Sequence, residues 1–358
     1  DFAEAYYNMG IALNGKGEPD AAMGSYKKAL EIKPDYSEAF YNMGIILKSR
    51  GDLESSIDNF EQALKISPDH AEAYNNIGNA LKGKGDYQGA IDSYNKAVLI
   101  KPDYADAFYN MGKTFKLIGQ YIKSAKCFKH VLNLDSDDTH GATLELASLG
   151  HQSIPPRTPK NYMKAFYKIR SKEWENFQPK EYHGHTLIEK AIKQVRKGQG
   201  KSDILDLGCG TGSLAKFLRP YATTLDGIDL SPDMLSSAAN TGLYDSLYEK
   251  EMELYLAKVT NHYNMVVAAA VMVHFFDLEE IFSLIWSSLK ANGEFIFSVF
   301  EGTEEDKQLN DFLMYSHSDH YITTLADRLN FKMTYRDQGI HEYHKERPIN
   351  ALIYVFKK

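Results

Sequence analysis

The run Asp203-Ile204-Leu205-Asp206-Leu207 leads directly into Gly208-Cys209-Gly210-Thr211-Gly212, with three glycines at alternate positions. A helix-compatible segment, Ser213 to Leu218, follows. Buried strand, glycine turn and helix start are how an open α/β sheet holds a nucleotide-like ligand at its carboxyl edge. The spacing is G-x-G-x-G and not the G-x-G-x-x-G of dinucleotide binders, because Ser213 stands where the third glycine would fall. Asp229, 21 residues after Gly208, ends the next apolar run, where a carboxylate suits two ribose hydroxyls. His274, just past the apolar run from Tyr263 to Val271, is the general-base candidate, since an imidazole titrates near neutrality. Tyr315 and His317, after the following strand, are candidates on the substrate side.

These residues need a sheet to position them. Strands are expected at 203–207, 224–229, 263–271 and 294–300, with a third strand exit at 247–252 and two last strands at 331–335 and 351–356. The turn Asn292-Gly293 precedes the fifth strand, and Leu278 to Leu289 carries apolar residues at helical period. Ser231-Pro232 reads as a helix cap with proline in the first turn. Strand and helix alternate, which predicts a doubly wound, seven-stranded α/β domain. Ahead of it, Asn161 to Glu175 carries Tyr162, Phe166, Ile169 and Trp174, and Tyr182 to Lys197 an amphipathic stripe. Phe166, Tyr182 and His183 are lid candidates.

Residues 1–136 repeat every 34 positions: Gly10, Gly44, Gly78 and Gly112 recur, as do Tyr26, Phe60, Tyr94 and Phe128. The units are 1–34, 35–68, 69–102 and 103–136, followed by a capping helix at 137–150. Small residues let the two helices of a unit approach, and the rings fill the gap to the next unit. Asn8, Asn42, Asn76 and Asn110 should form a ladder along one groove, with Tyr7, Tyr41 and Tyr109 beside it and Lys48, Lys82 and Lys116 further along. A carboxamide both donates and accepts, which suits an extended peptide backbone. The alternative is a spacer. Residues 151–160, with Pro155, Pro156 and Pro159, read as the linker, and 161–358 as the second domain with its lead-in helices.

Composition narrows the rest. A net charge of -7 gives no global attraction to nucleic acid or anionic membrane. Met265 to Phe276 is too short to span a bilayer. Cys127 and Cys209 imply neither a disulfide framework nor a metal site, so a reducing, cytoplasmic setting is the simpler reading. The start at Asp1, inside a repeat, reads as that of a fragment.

The array resembles the tetratricopeptide repeat, and its asparagine ladder resembles that of O-linked N-acetylglucosamine transferase. The whole chain resembles a bacterial tetratricopeptide-repeat methyltransferase of the class I fold. That resemblance rests on the glycine loop, on Val271-Met272-Val273-His274, and on Tyr315 to Ile322. Ala270 and Met314 depart from it, standing where members have an acid and an arginine. It implies S-adenosylmethionine as cofactor, contacted by Asp206, Gly208, Cys209, Gly210, Gly212, Asp229, Leu230, Glu251, Met252 and Ala268, with Glu249 a rival to Glu251. It also implies docking of a protein or peptide in the repeat groove. A small-molecule or glycan O-methyltransferase with a structural array, or a non-catalytic scaffold, are the alternatives. Methyl transfer needs alignment and exclusion of water, plus a base for a hydroxyl or ammonium acceptor but hardly for a carboxylate. No Asp/Asn-Pro-Pro-Tyr follows the fourth strand, where Ala268-Ala269-Ala270 stands, which argues against amide or exocyclic-amine methylation of that type.

Overall fold

The computed structural model describes residues 2–174, 182–302, 305–344 and 346–358, with side chains left out at 170–174. The chain divides into two compact units, Asp1–His151 and Gln152–Lys358.

The first unit is a run of antiparallel helix pairs: α1 (Phe2–Gly15) with α2 (Pro19–Ile32), α3 (Ser37–Ser49) with α4 (Leu53–Ile66), α5 (Ala71–Lys84) with α6 (Tyr87–Ile100), and α7 (Ala105–Leu117) with α8 (Tyr121–Leu134). Each pair is drawn together by one glycine. A Cβ built on Gly10, Gly44, Gly78 or Gly112 would lie 2.5, 2.6, 2.5 or 2.8 Å from the ring of Tyr26, Phe60, Tyr94 or Phe128. The rings therefore stand over the glycine of their own unit as well as meeting the next, where Tyr26 joins Ala39, Met43 and Ile46.

The asparagine ladder forms, but its amides face inward along the array. Asn42 Nδ2 donates to the Tyr7 hydroxyl at 3.1 Å, and Asn76 Nδ2 to the Tyr41 hydroxyl at 3.1 Å. Asn110 Nδ2 donates at 3.1 Å to Asn75 Oδ1, which takes the tyrosine's place. Lys48 also donates to Asn76 Oδ1. Asn42, Asn76 and Asn110 thus tie each unit to the one before, whereas Asn8, in the first unit, is exposed.

The cap is shorter than the expected 137–150: α9 spans Ala142–Ser148. Asp138 accepts from the Ala142 and Thr143 amides at its start, at 2.6 and 3.1 Å. Its buried Glu145 carboxylate is answered by Lys116 at 2.8 Å and Lys113 at 3.4 Å, the compensation a buried charge requires. Nearby, His140 bridges Asp106 (3.2 Å) and Asp135 (2.9 Å). The hydrogen bond to Asp106 is the largest influence, and it raises the imidazole above its ordinary value. A raised cation favours the folded state fully below the unfolded value of about 6.5 and loses that contribution as pH rises through the folded value. Amide exchange in α8 and α9 is therefore expected to quicken, beyond the intrinsic increase, as pH rises above about 6.5, and His140→Gln to remove that excess.

The second unit opens with α10 (Lys160–Trp174) and α11 (Gly184–Val195); Glu175 and the Trp174 side chain lie outside the described residues. The sheet comprises β1 (Ser202–Leu207), β2 (Ala222–Asp229), β3 (Ser246–Glu249), β4 (Tyr263–Ala268), β5 (Leu289–Glu301), β6 (Lys307–Leu309), β7 (Tyr315–His317), β8 (Lys332–His344) and β9 (Arg347–Lys357). Helices α12 (Ala215–Leu218), α13 (Pro232–Asn240), α14 (Met252–Leu256), α15 (Glu279–Ser288) and α16 (Asp319–Arg328) punctuate it. The parallel part runs β3-β2-β1-β4-β5, and β9 then joins β5 antiparallel with β8 beyond. Seven long strands match the expectation, but the described sheet has nine. The short β7 pairs the tip of β5 at Phe300 and Glu301, and β6 pairs β7.

Two other expectations need correction. Strand β4 stops at Ala268, not Val271, because Ala270 takes a φ of 56° and a 3-10 turn follows at Met272–His274. Asn292, at φ 61°, lies inside β5 where the register with β4 slips, so Asn292-Gly293 is a bulge and not a turn before the strand.

Both faces of the sheet are covered. Leu205, Val266, Phe295 and Phe297 pack under Ile281, Phe282 and Ile285 of α15 and Ile322 of α16. Ile204, Met265, Val267 and Ile296 meet Ile188 and Ile192 of α11. Central strands buried on both faces explain the unbroken apolar runs in the sequence.

Candidate active site

The strand order reverses between β1 and β4, so their carboxyl ends part, and a crevice opens at that switch point. It is a cavity of roughly 1100 Å³, counted out to its solvent mouth. Gly208 and Gly210 form its floor at φ 72° and 53°, left-handed conformations that only glycine adopts readily. A Cβ on Gly208 would come within 2.3 Å of Val271 Cγ2, whereas one on Gly210 would meet no heavy atom within 4 Å. Open space therefore lies directly over the turn, where a ligand can approach its backbone.

Asp229 stands beside it. Its Oδ2 accepts from the Gly210 amide at 2.9 Å and its Oδ1 from the Ser231 amide at 2.8 Å, while burial pushes its carboxyl above the usual range. Asp206 lies beneath, 2% exposed, accepting from the Tyr244 hydroxyl at 2.6 Å; burial raises its carboxyl to about 7. Cys209 is buried too, and desolvation raises its thiol well above the ordinary range, leaving it a neutral, unreactive wall. At the β3 exit, Glu251 takes an ion pair from Lys160 and another from Arg157 at 3.2 Å, which hold its carboxyl low. Arg157 also pairs Glu253 at 2.5 Å.

Of the expected cofactor residues, Gly208, Cys209, Gly210, Asp229, Leu230, Glu251 and Met252 line the cavity together. Asp206, Gly212 and Ala268 do not: Asp206 and Ala268 lie under the floor, and Gly212, at φ 80°, continues the turn toward α12. His274 is on the lining at 8% exposure. Tyr315 and His317 are not, and the substrate-side placement expected of them is corrected here. Both sit fully buried on β7, where the Tyr315 hydroxyl donates to the Pro155 carbonyl at 2.9 Å. Burial drives the His317 imidazole down to about 4 beside the Tyr321 ring.

The lead-in is also corrected. Residues 156–158 are hydrogen-bonded alongside 274–276, through Phe276 N to Pro156 O and Thr158 N to His274 O, both at 2.8 Å. The second half of the expected linker thus belongs to the site. On α10 the cavity residues are Lys160, Met163, Lys164 and Tyr167, not Phe166, which meets Tyr167 edge-on. Tyr182 lines the cavity with His185, whereas the His183 ring lies against Tyr343. Desolvation lowers His185 to about 4, so it is neutral at physiological pH.

Tyr167 and Thr158 were missed by sequence reasoning. The Tyr167 hydroxyl lies 2.7 Å from His274 Nε2, and Thr158 Oγ1 lies 3.3 Å from Nδ1. The spacing Lys160, Met163, Lys164, Tyr167 was the available signal, a stripe at i, i+3, i+4 and i+7. Among the described residues no three His, Cys, Asp or Glu side chains gather as a metal site, and no helix is long and apolar enough to cross a membrane.

Residues 180–336 match a family described as a methyltransferase domain. Tetratricopeptide-repeat families match residues 3–36, 25–58, 44–85, 78–119 and 105–138. A Geobacillus sp. (strain WCH70) sequence classed as a methyltransferase is 25% identical over 180 residues, 45% of this chain and 71% of its own length. The malonyl-[acyl-carrier protein] O-methyltransferase of Acetivibrio thermocellus is 31% identical over 129 residues, 34% of this chain. The chain spans about half of that enzyme, 46% of its length. Among solved structures, magnesium protoporphyrin IX methyltransferase from Synechocystis, with bound S-adenosylhomocysteine, is 16% identical at a TM-score of 0.44, covering 56% of this chain and 99% of that one. The glycine turn, the acid that follows it and these family matches agree: the chain joins tetratricopeptide repeats to a class I S-adenosylmethionine-dependent methyltransferase domain.

Proposed function

We propose that the second unit transfers a methyl group from S-adenosylmethionine to an acceptor admitted to the cavity, and that the repeats dock a protein or peptide. The observation that carries the first part is the open space over Gly210 with the Asp229 carboxylate at its edge. The cofactor, when bound, supplies an electrophilic methyl on a sulfonium. The Gly208–Gly210 backbone would hold its amino-acid end, Asp229 would take the ribose hydroxyls, and Glu251 and Met252 would flank the base. Arg157 and Lys160 fasten the lead-in segment to Glu251 and Glu253 at the mouth, which screens the transfer from water.

Docking is supported by the matched repeat families and by the same asparagine, tyrosine and lysine positions recurring through the array. The inward ties of Asn42, Asn76 and Asn110 leave less of the ladder for a ligand than the sequence implied. Calorimetry with S-adenosylmethionine and S-adenosylhomocysteine tests the cofactor. Incubation of lysate with methyl-labelled cofactor, split into protein and small-molecule fractions, tests the acceptor. Label in protein is expected. Label confined to small molecules would reduce the repeats to an assembly role, and label in neither would leave a scaffold.

A further inference from the structure

We propose that the acceptor is a hydroxyl, and that its proton leaves through Tyr167 to His274; this rests on the methyl-transfer reading of the same cavity. Three groups are joined in series at the cavity wall: the Tyr167 hydroxyl, the His274 imidazole and the Thr158 hydroxyl. Tyr167 Oη is 2.7 Å from Nε2, and Thr158 Oγ1 is 3.3 Å from Nδ1. All three line the cavity, Thr158 at 2% exposure. Thr158 is fixed in turn, since its amide donates to the His274 carbonyl at 2.8 Å. In the tautomer whose Nδ1–H donates to the Thr158 oxygen, Nε2 is the acceptor for the Tyr167 proton, and a hydroxyl that gives up its proton can take another in exchange. His274 therefore reaches the acceptor through Tyr167 and not directly.

The step balances. The acceptor oxygen forms a C–O bond to the methyl as the C–S bond breaks, and that electron pair stays on the thioether sulfur. The acceptor's proton passes to the Tyr167 oxygen while the tyrosine proton passes to His274 Nε2, giving an imidazolium that later returns its proton to water. A carboxylate acceptor has no proton to lose and needs no such chain. On the lining Arg157 and Lys160 are paired by Glu251 and Glu253, and Lys164 and Lys250 stand against Asp229, so the cations remain one in excess, which disfavours an ammonium acceptor and favours an ionising hydroxyl.

Two measurements test this. In protein carrying ¹⁵N-labelled histidine with S-adenosylhomocysteine bound, His274 is expected protonated at Nδ1, with an Nε2 signal that moves in Tyr167→Phe; His274→Gln assigns the resonance. An Nε2-protonated ring indifferent to Tyr167→Phe overturns the relay without touching the cofactor claim. In the lysate incubation, label is expected in an ether that survives mild alkali. Tyr167→Phe should slow labelling about 100-fold while calorimetric cofactor affinity holds. Thr158→Val should also slow it, and Thr158→Ser restore it. Label released by alkali as methanol, recovered as a methylamine, or undiminished in Tyr167→Phe overturns the proposal, whereas failure of calorimetric binding in the wild type strikes the methyl-transfer reading itself.

Discussion

Asp229→Asn is expected to weaken S-adenosylmethionine binding roughly 10- to 100-fold by calorimetry, the worth of one or two charge-assisted hydrogen bonds. The native carboxylate does two jobs: it faces the cavity, and it gathers the Gly210 and Ser231 amides at 2.9 and 2.8 Å. An asparagine keeps one acceptor oxygen and turns its NH₂ toward a donor, so one of the two amides is left unanswered. The glycine turn should loosen accordingly, with faster exchange at the Gly210 amide. Unchanged affinity in a folded variant would remove Asp229 from the ligand site and leave it a strut of the turn.

Gly208→Ala should cost more in folding than in binding. At φ 72° any side chain is strained by about 1–2 kcal/mol, and an overlap with Val271 adds about 1–3 kcal/mol. Together these take a large part of the stability of an ordinary domain. The two contributions can be parted by a second substitution: Val271→Ala relieves the overlap but not the backbone strain. Urea melts should then show the double variant regaining part of the loss. Full recovery would mean that backbone conformation at 208 is unimportant, and no recovery would mean that Val271 yields without cost.

The cofactor side of this cavity was legible in the sequence because it is local. The strand, the glycine turn and the acid of the next strand occupy 203–229, and each declares itself by composition. Asp206 shows the limit of that logic, since the acid ending the strand turns under the floor to Tyr244 and not to the cavity. The acceptor side was obscure because it is assembled from distant pieces. Thr158 lies in a proline-rich stretch with no periodicity, yet pairs alongside His274. Tyr167 and Phe166 are adjacent aromatics on one helix, and only the packed structure decides which of them faces inward. Strands of three residues such as β7 carry no alternation to read, so Tyr315 and His317 read as substrate-side residues, whereas both are buried away from the cavity lining. Asn292-Gly293 misled for a different reason, because turns and bulges need the same left-handed backbone.

The tyrosine–asparagine bonds between successive repeats have a mechanical consequence. Each link fixes the angle at which one helix pair leans on the next, and Tyr109 extends the series to Glu145 of the cap at 3.4 Å. Bending the superhelix toward a differently curved guest would stretch every rung at once. The array should therefore behave less like a hinged chain than like a leaf spring, and under the docking proposed above it would select guests by the arc they already describe.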